Sequence, residues 1–217
     1  MRGRDFLNQA NRRFGRYAIR NLMTIIVGGM GIVFLVDWVM GPRLGITLSS
    51  YLYFDRALIL QGEVWRVLTF VFLPPDSSLL FILFALYFYW MIGNSLENEW
   101  GSFRFMVYYL CGVLGTILSG FLTGYAANDY LNLSLFLAFA LLYPDYELLV
   151  FFLLPVKVKY LALLDFLGLV WLFIQTGWSG RLAILMALLN ILLFFGPDLL
   201  NRCRSMYRRW QYRRSFR

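Results

Sequence analysis

The chain has 217 residues, of which 60% are apolar and only 15% charged, and its formal net charge is +8. Soluble domains carry roughly a quarter charged residues, whereas apolar runs of about eighteen or more mark membrane spans. There is no histidine, and the two cysteines, Cys111 and Cys203, stand far apart, so neither a disulfide nor a metal site follows.

Residues 1–20 hold six arginines and read as a basic cytoplasmic segment. The first span runs from Asn21 to Met40. Several more spans follow it, so it is not a cleaved signal peptide. Asp37 near its outer end reads as interfacial. The segment Gly41 to Pro75 is too long for a tight turn and too apolar for a free loop. Tyr51-Leu52-Tyr53-Phe54 and Leu58-Ile59-Leu60 look like interface anchors, which predicts a membrane-associated first loop. Within it, GEVWRVLTFVFLPP sets Glu63, Trp65 and Arg66 before an apolar run. A buried charge there needs a carboxylate or loop carbonyls as partner. Contact with lipid or a client helix is the alternative role.

The second span covers Ser78 to Leu96. LENEWGSFRF follows, with Glu97, Gly101 and Arg104. The third covers Phe103 to Phe121 or Tyr125 and carries Gly112, Thr116 and Gly120 at intervals of four, a face for close helix approach. Internal packing is favoured over homo-oligomerisation for that face. The fourth span, Tyr130 to Tyr143, is short. Its fourteen residues rise roughly 21 Å against a hydrocarbon core of about 30 Å. The fifth, Val156 to Gln175, contains Asp165, which should face the bundle; Asn190 of the sixth span is its candidate partner. The sixth, Ser179 to Leu199, also carries Ala183 and Ala187 on a packing face. Residues 200–217 form a basic tail with Tyr207, Trp210, Tyr212 and Phe216, suited to a short interfacial helix on anionic headgroups.

Charge placement orients the spans. With both termini cytoplasmic, sixteen Lys and Arg fall inside and four, Arg43, Arg56, Arg66 and Arg181, fall outside. The expectation is an all-α polytopic protein whose six-helix membrane domain covers 21–199, in the plasma membrane if the source is bacterial. Continuous apolar runs, rather than ten-residue alternating segments, argue against a β-barrel.

Three motifs in order carry a family likeness. GEVWRVLTFVFL resembles the tryptophan–arginine first-loop motif of the rhomboid superfamily. LENEWGSFRF resembles its junction between the second and third helices. Leu142-Tyr143-Pro144-Asp145, followed by FFLLPVKVKY, looks like its junction between the fourth and fifth. The likeness covers about Met40 to Leu199 and implies a six-helix rhomboid-like bundle.

Active rhomboids share a Ser–His dyad, with the serine in a Gly-x-Ser-Gly motif on the fourth helix and the histidine on the sixth. A histidine and an asparagine of the second helix help hold the oxyanion. The resemblance places these four groups near Asp129, Arg181, Ser78 and Ile82, so each is replaced. Serine is a poor nucleophile until a base takes its proton, and no histidine exists to do so. The nearest surviving hydroxyl is Ser134, and Lys157 and Lys159 belong to the opposite face. The expectation is no enzyme activity and no catalytic residue: a pseudoprotease, in the functional class of the derlins, that binds transmembrane clients or partner proteins. An active intramembrane serine protease and a small-solute transporter or channel component are the alternatives. No inverted repeat supports the latter. No cofactor is implied, because no phosphate-binding loop is present. Nucleic acid is not an expected partner, since the basic residues cluster at the ends and beside apolar runs.

Overall fold

Inside a bilayer no water satisfies the backbone, so each apolar run closes its own hydrogen-bond ladder and becomes a helix. The computed structural model describes residues 13, 15–45, 47–75, 78–150 and 154–215. Helix α1 spans Leu22–Leu44. The first loop then folds into α2 (Ser49–Leu52), strand β1 (Phe54–Asp55), α3 (Arg56–Leu60) and α4 (Arg66–Thr69). Helices α5 (Leu79–Trp100) and α6 (Ser102–Thr123) follow, then β2 (Tyr125–Ala126) and α7 (Asp129–Leu142). A hairpin of β3 (Glu147–Val150) and β4 (Leu154–Lys157) leads to α8 (Val158–Gln175) and α9 (Trp178–Ser215).

Among the described residues five helices, not the six expected, are long and apolar enough to cross a membrane: α1, α5, α6, α8 and the Trp178–Gly196 part of α9. The exception is α7, with 14 residues, which at 1.5 Å per residue is roughly 21 Å long. Its shortness has a physical reason in its surroundings. Leu131, Leu135, Ala138 and Phe139 are all buried, so α7 is enclosed by protein where the other helices meet lipid.

The Gly112–Thr116–Gly120 face is used inside the chain. A Cβ on Gly112 would stand 2.5 Å from Leu131 Cδ1 and 2.9 Å from Asn190 Nδ2. One on Gly120 would stand 2.6 Å from Phe54 Cε1, and Thr116 donates back to Gly112 O at 3.0 Å. Helix α6 therefore lies close against α7 and α9. Ala183 and Ala187 are half-buried on α9, beside the buried Ile184.

The first loop folds onto one end of the bundle. Phe54 and Asp55 pair antiparallel with Ala126 and Tyr125. The Phe54 ring is fully buried, edge-on to Phe70 and Phe121. Tyr51, Leu60, Val64 and Leu68 stay exposed on its outer side. Two further boundaries differ from expectation. Helix α8 starts at Val158 because Pro155 and its neighbours pair in the hairpin. The backbone of α9 continues through the basic tail to Ser215, where a separate short helix was expected. The basic segment 1–12 and the side chains of the tail, including Tyr207, Trp210, Tyr212 and Phe216, lie outside the described residues.

Candidate functional site

Helix α2 has four residues, so nearly all its backbone end groups lack an intrahelical partner. Asp37 of α1 supplies one end, accepting from Leu48 N, Ser49 N and Ser49 Oγ. The motif around Arg66 supplies the other. Arg66 Nη1 donates to Ser50 O at 3.0 Å and Tyr53 O at 3.1 Å. Trp65 Nε1 donates to Tyr51 O at 3.1 Å, and Thr69 Oγ1 to Leu52 O at 3.0 Å. Four consecutive carbonyls are thereby satisfied by three side chains of one short helix and its cap. Arg66 is 3% exposed; Glu63 balances its charge through a 2.6 Å bond to Nε, and the Tyr53 ring lies 4.7 Å away under the guanidinium. The charged pair before the apolar run thus braces the loop. Asp37 is a functional brace that sequence reasoning missed, because the residues it caps stand eleven and twelve positions away.

At the N-terminal end of α7 a polar cavity of about 430 Å³ opens between α1, the first loop and the β2–α7 connection. Its polar lining includes Asp37, Ser49, Ser50, Tyr53, Asn128 and Asp129. Asn128 is buried and donates to Val71 O at 3.2 Å and Leu73 O at 2.9 Å, tying the end of the first loop to α7. Both serine hydroxyls in the lining are engaged, Ser49 with the Asp37 carboxylate and Ser50 with Thr47 O.

Of the four positions matched to the family's catalytic groups, only Asp129 lines this cavity, and it is exposed. Ser78 is exposed just before α5, and Ile82, one turn later, is fully buried. Arg181 turns to the end of α8. Its Nε donates to Phe173 O at 3.0 Å and its Nη2 to Ile174 O at 3.3 Å. The last carbonyls of a helix lack partners and carry negative charge, and the tight α8–α9 turn puts them within reach of a guanidinium. Ser134 is 1% exposed. Its hydroxyl donates to Leu131 O at 2.8 Å, and Tyr108 Oη donates to Ser134 O at 3.0 Å. A hydroxyl held this way faces neither the cavity nor a base.

The junction motif ties down the opposite end. Glu97, buried in the last turn of α5, accepts at Oε1 from Asn21 N (2.9 Å) and Ser102 Oγ (2.6 Å). It thereby fastens the start of α1 to the α5–α6 turn. Gly101 makes that turn at φ +80°, a backbone region that disfavours a Cβ. Arg104 sits half-buried in the first turn of α6.

The expected Asp165–Asn190 pair does not form. Asn190 is buried against α6 and donates to Tyr108 O at 3.3 Å. Asp165 is half-buried on α8, and among the described residues no hydrogen bond or ion pair reaches it. The two side chains belong to different helix contacts: Asn190 to the α6–α9 seam, Asp165 to a helix that packs chiefly on α7 and α9.

Apolar helices enclosing a short central one, capped by a loop braced through a tryptophan and an arginine, define a polytopic membrane protein of helical-bundle type. A family profile for the Rhomboid domain matches residues 61–210, more than half of the chain, and the chain belongs to the rhomboid family. It is similar to Rhomboid protease GluP of Bacillus subtilis (strain 168), 39% identical over 75 residues, which are 34% of this chain and 14% of that protein. It is also similar to Rhomboid protease GlpG of Salmonella newport (strain SL254), 33% identical over 84 residues, 39% of this chain and 27% of that protein. The matched stretches span only a minor part of both relatives' length.

Proposed function

We propose that this rhomboid-family protein is catalytically inactive and binds transmembrane clients or partner proteins, affecting their folding, turnover or localisation. One observation carries the inactivity: the Rhomboid-domain region, residues 61–210, contains no histidine. A serine needs a base of suitable pKa within hydrogen-bond reach. The buried Ser134 hydroxyl, spent on a backbone carbonyl, supports the same reading. Five long helices plus the enclosed α7 make six membrane segments. With that count, the sixteen-to-four division of basic residues supports a reading in which both termini are cytoplasmic. The outward Tyr51, Leu60 and Leu68 then seat the first loop in the outer interface, and the basic ends meet anionic headgroups.

Helix α8 supports the binding role. Val158 and Leu169 are its only buried residues, so Leu163, Leu167, Trp171 and Ile174 face outward together with the half-buried carboxylate of Asp165. An acid at membrane depth is costly without a partner, and a polar group in a client helix would supply one. Photo-crosslinking amino acids at Leu167 and Trp171 test this in intact membranes. The reading predicts discrete protein adducts that D165L removes; labelling of lipid alone at both positions contradicts it.

A further inference from the structure

A second cavity, of about 640 Å³, lies between α7, α8 and α9, away from the polar one. Ten of its eleven lining residues are apolar, among them Leu141, Ala162, Phe166 and Leu192. The exception is Lys159, in the first turn of α8. The groove exists because α8 is fastened at both ends and loosely in between. At its start Val158 N donates to Tyr146 O and Lys159 N to Pro144 O. At its end Arg181 of α9 holds the last carbonyls. Between these points small residues, Ala140 and Ala162, leave the wall hollow. Water does not fill such a space, because it needs two to four polar partners. An empty one forfeits dispersion contacts.

We propose that this groove binds one acyl chain of a phospholipid, with the phosphodiester seated on Lys159 at its mouth. Packed helices stand about 8–10 Å apart, so a slot between their side chains admits a single hydrocarbon chain. A helix about 10 Å across does not fit. The polarity of the lining matches an amphiphile: apolar along its length, cationic at one end only. From Lys159 to Phe166 the wall rises roughly 10 Å, which suits the upper part of an acyl chain. The mouth has donors to spare. Lys159 Nζ bonds Asp145 at 2.7 Å and lies 5.5 Å from the Tyr160 ring. An ammonium carries three N–H groups. Lys157 Nζ lies 3.9 Å from the same Asp145 oxygen, so two cations share that carboxylate, and Glu147 stands opposite Lys157 across the hairpin. The start of α8 adds the positive end of an 18-residue helix dipole.

The test uses the full chain in liposomes doped with phosphatidylethanolamine carrying a diazirine midway along one acyl chain, with adducts mapped by mass spectrometry. A diacylglycerol bearing the same chain is the headgroup control. Adducts are expected at Leu137–Leu141, Ala162–Phe166 and Leu188–Leu192 in excess over Leu114, Leu118 and Leu122 of α6, which are more exposed than most of the groove. A162F fills the groove and should bring its labelling down to the α6 level. Should A162F fail to fold, A140F serves the same purpose from the opposite wall. K159M should weaken phospholipid labelling roughly tenfold, the loss of about one charge-assisted hydrogen bond, and leave the diacylglycerol control unchanged. Equal labelling of groove and α6, or labelling that survives both filled variants, overturns the site. Phospholipid labelling unchanged in K159M overturns the headgroup assignment. None of these outcomes depends on whether the protein is a protease or binds clients.

Discussion

Replacing Arg66 by leucine removes three hydrogen bonds at once: to Glu63, to Ser50 O and to Tyr53 O. Hydrogen bonds to charged groups contribute about 1.5–3 kcal/mol each, and breaking a buried ion pair costs about 3–5 kcal/mol. Two terms reduce the total. The Glu63 side chain is 34% exposed and regains water, and leucine still fills apolar space against Tyr53. A net loss of about 3 kcal/mol follows. For a chain of 150–250 residues that lowers the melting temperature by roughly 6–12 °C. The assay is thermal unfolding of the purified protein in detergent, followed by tryptophan fluorescence and by loss of the monodisperse peak. R66K should recover part of the loss, because an ammonium cannot span Glu63 and two carbonyls in one plane. E63L combined with R66L should cost less than the sum of the two single changes, since neither charge is then left alone. An R66L protein that melts within about 2 °C of the parent, or strictly additive losses in the cycle, would refute the clamp.

Other consequences are as direct. G112V should destabilise by about 1–3 kcal/mol, because its side chain meets Leu131 and Asn190. G28A is neutral or slightly stabilising, since nothing lies within 4 Å of a Cβ there; melting temperatures of both variants decide. Reporter fusions after Arg20 and Arg217 should both be cytoplasmic and one at Ala127 external; an external C-terminus removes the six-segment topology. D165L should leave the isolated protein as stable as the parent or more so, because a carboxylate leaves the lipid-facing helix α8, while client crosslinks at Trp171 disappear. A large loss of stability would instead make Asp165 a structural residue.

How much of this could be read from residues alone depends on range. Long apolar runs announce α1, α5, α6, α8 and α9, because length and hydropathy are local properties. The brace at Arg66 was legible in outline, since a guanidinium in an apolar stretch must find carbonyls or a carboxylate. Its partners at Ser50 and Tyr53 were not, because nothing at those positions marks their carbonyls as unpaired until α2 is known to be four residues long. Asp37 was read only as interfacial for the same reason. The β1–β2 ladder has two residues per strand, too few for any alternation, and the hairpin strands hide in one apolar run, Leu148 to Val156. The family resemblance placed Arg181 near a catalytic position. Its actual direction was set by the unpaired carbonyls ending α8, which no one-dimensional pattern exposes. Asp165 and Asn190 shared only their polarity, and which neighbour each helix face meets is decided by the packing of all six apolar segments.

Absence of hydrolysis is decided by a serine-reactive probe together with a cleavage assay. The purified chain, in liposomes with a model transmembrane substrate, is incubated with a fluorophosphonate or an isocoumarin and followed by intact-mass spectrometry, with an active rhomboid protease as positive control. No cleavage product and no covalent adduct are expected, because residues 61–210 hold no histidine and Ser134 is buried with its hydroxyl donating to Leu131 O. A stoichiometric serine adduct that disappears in S134A, together with loss of substrate cleavage in the same variant, would contradict it.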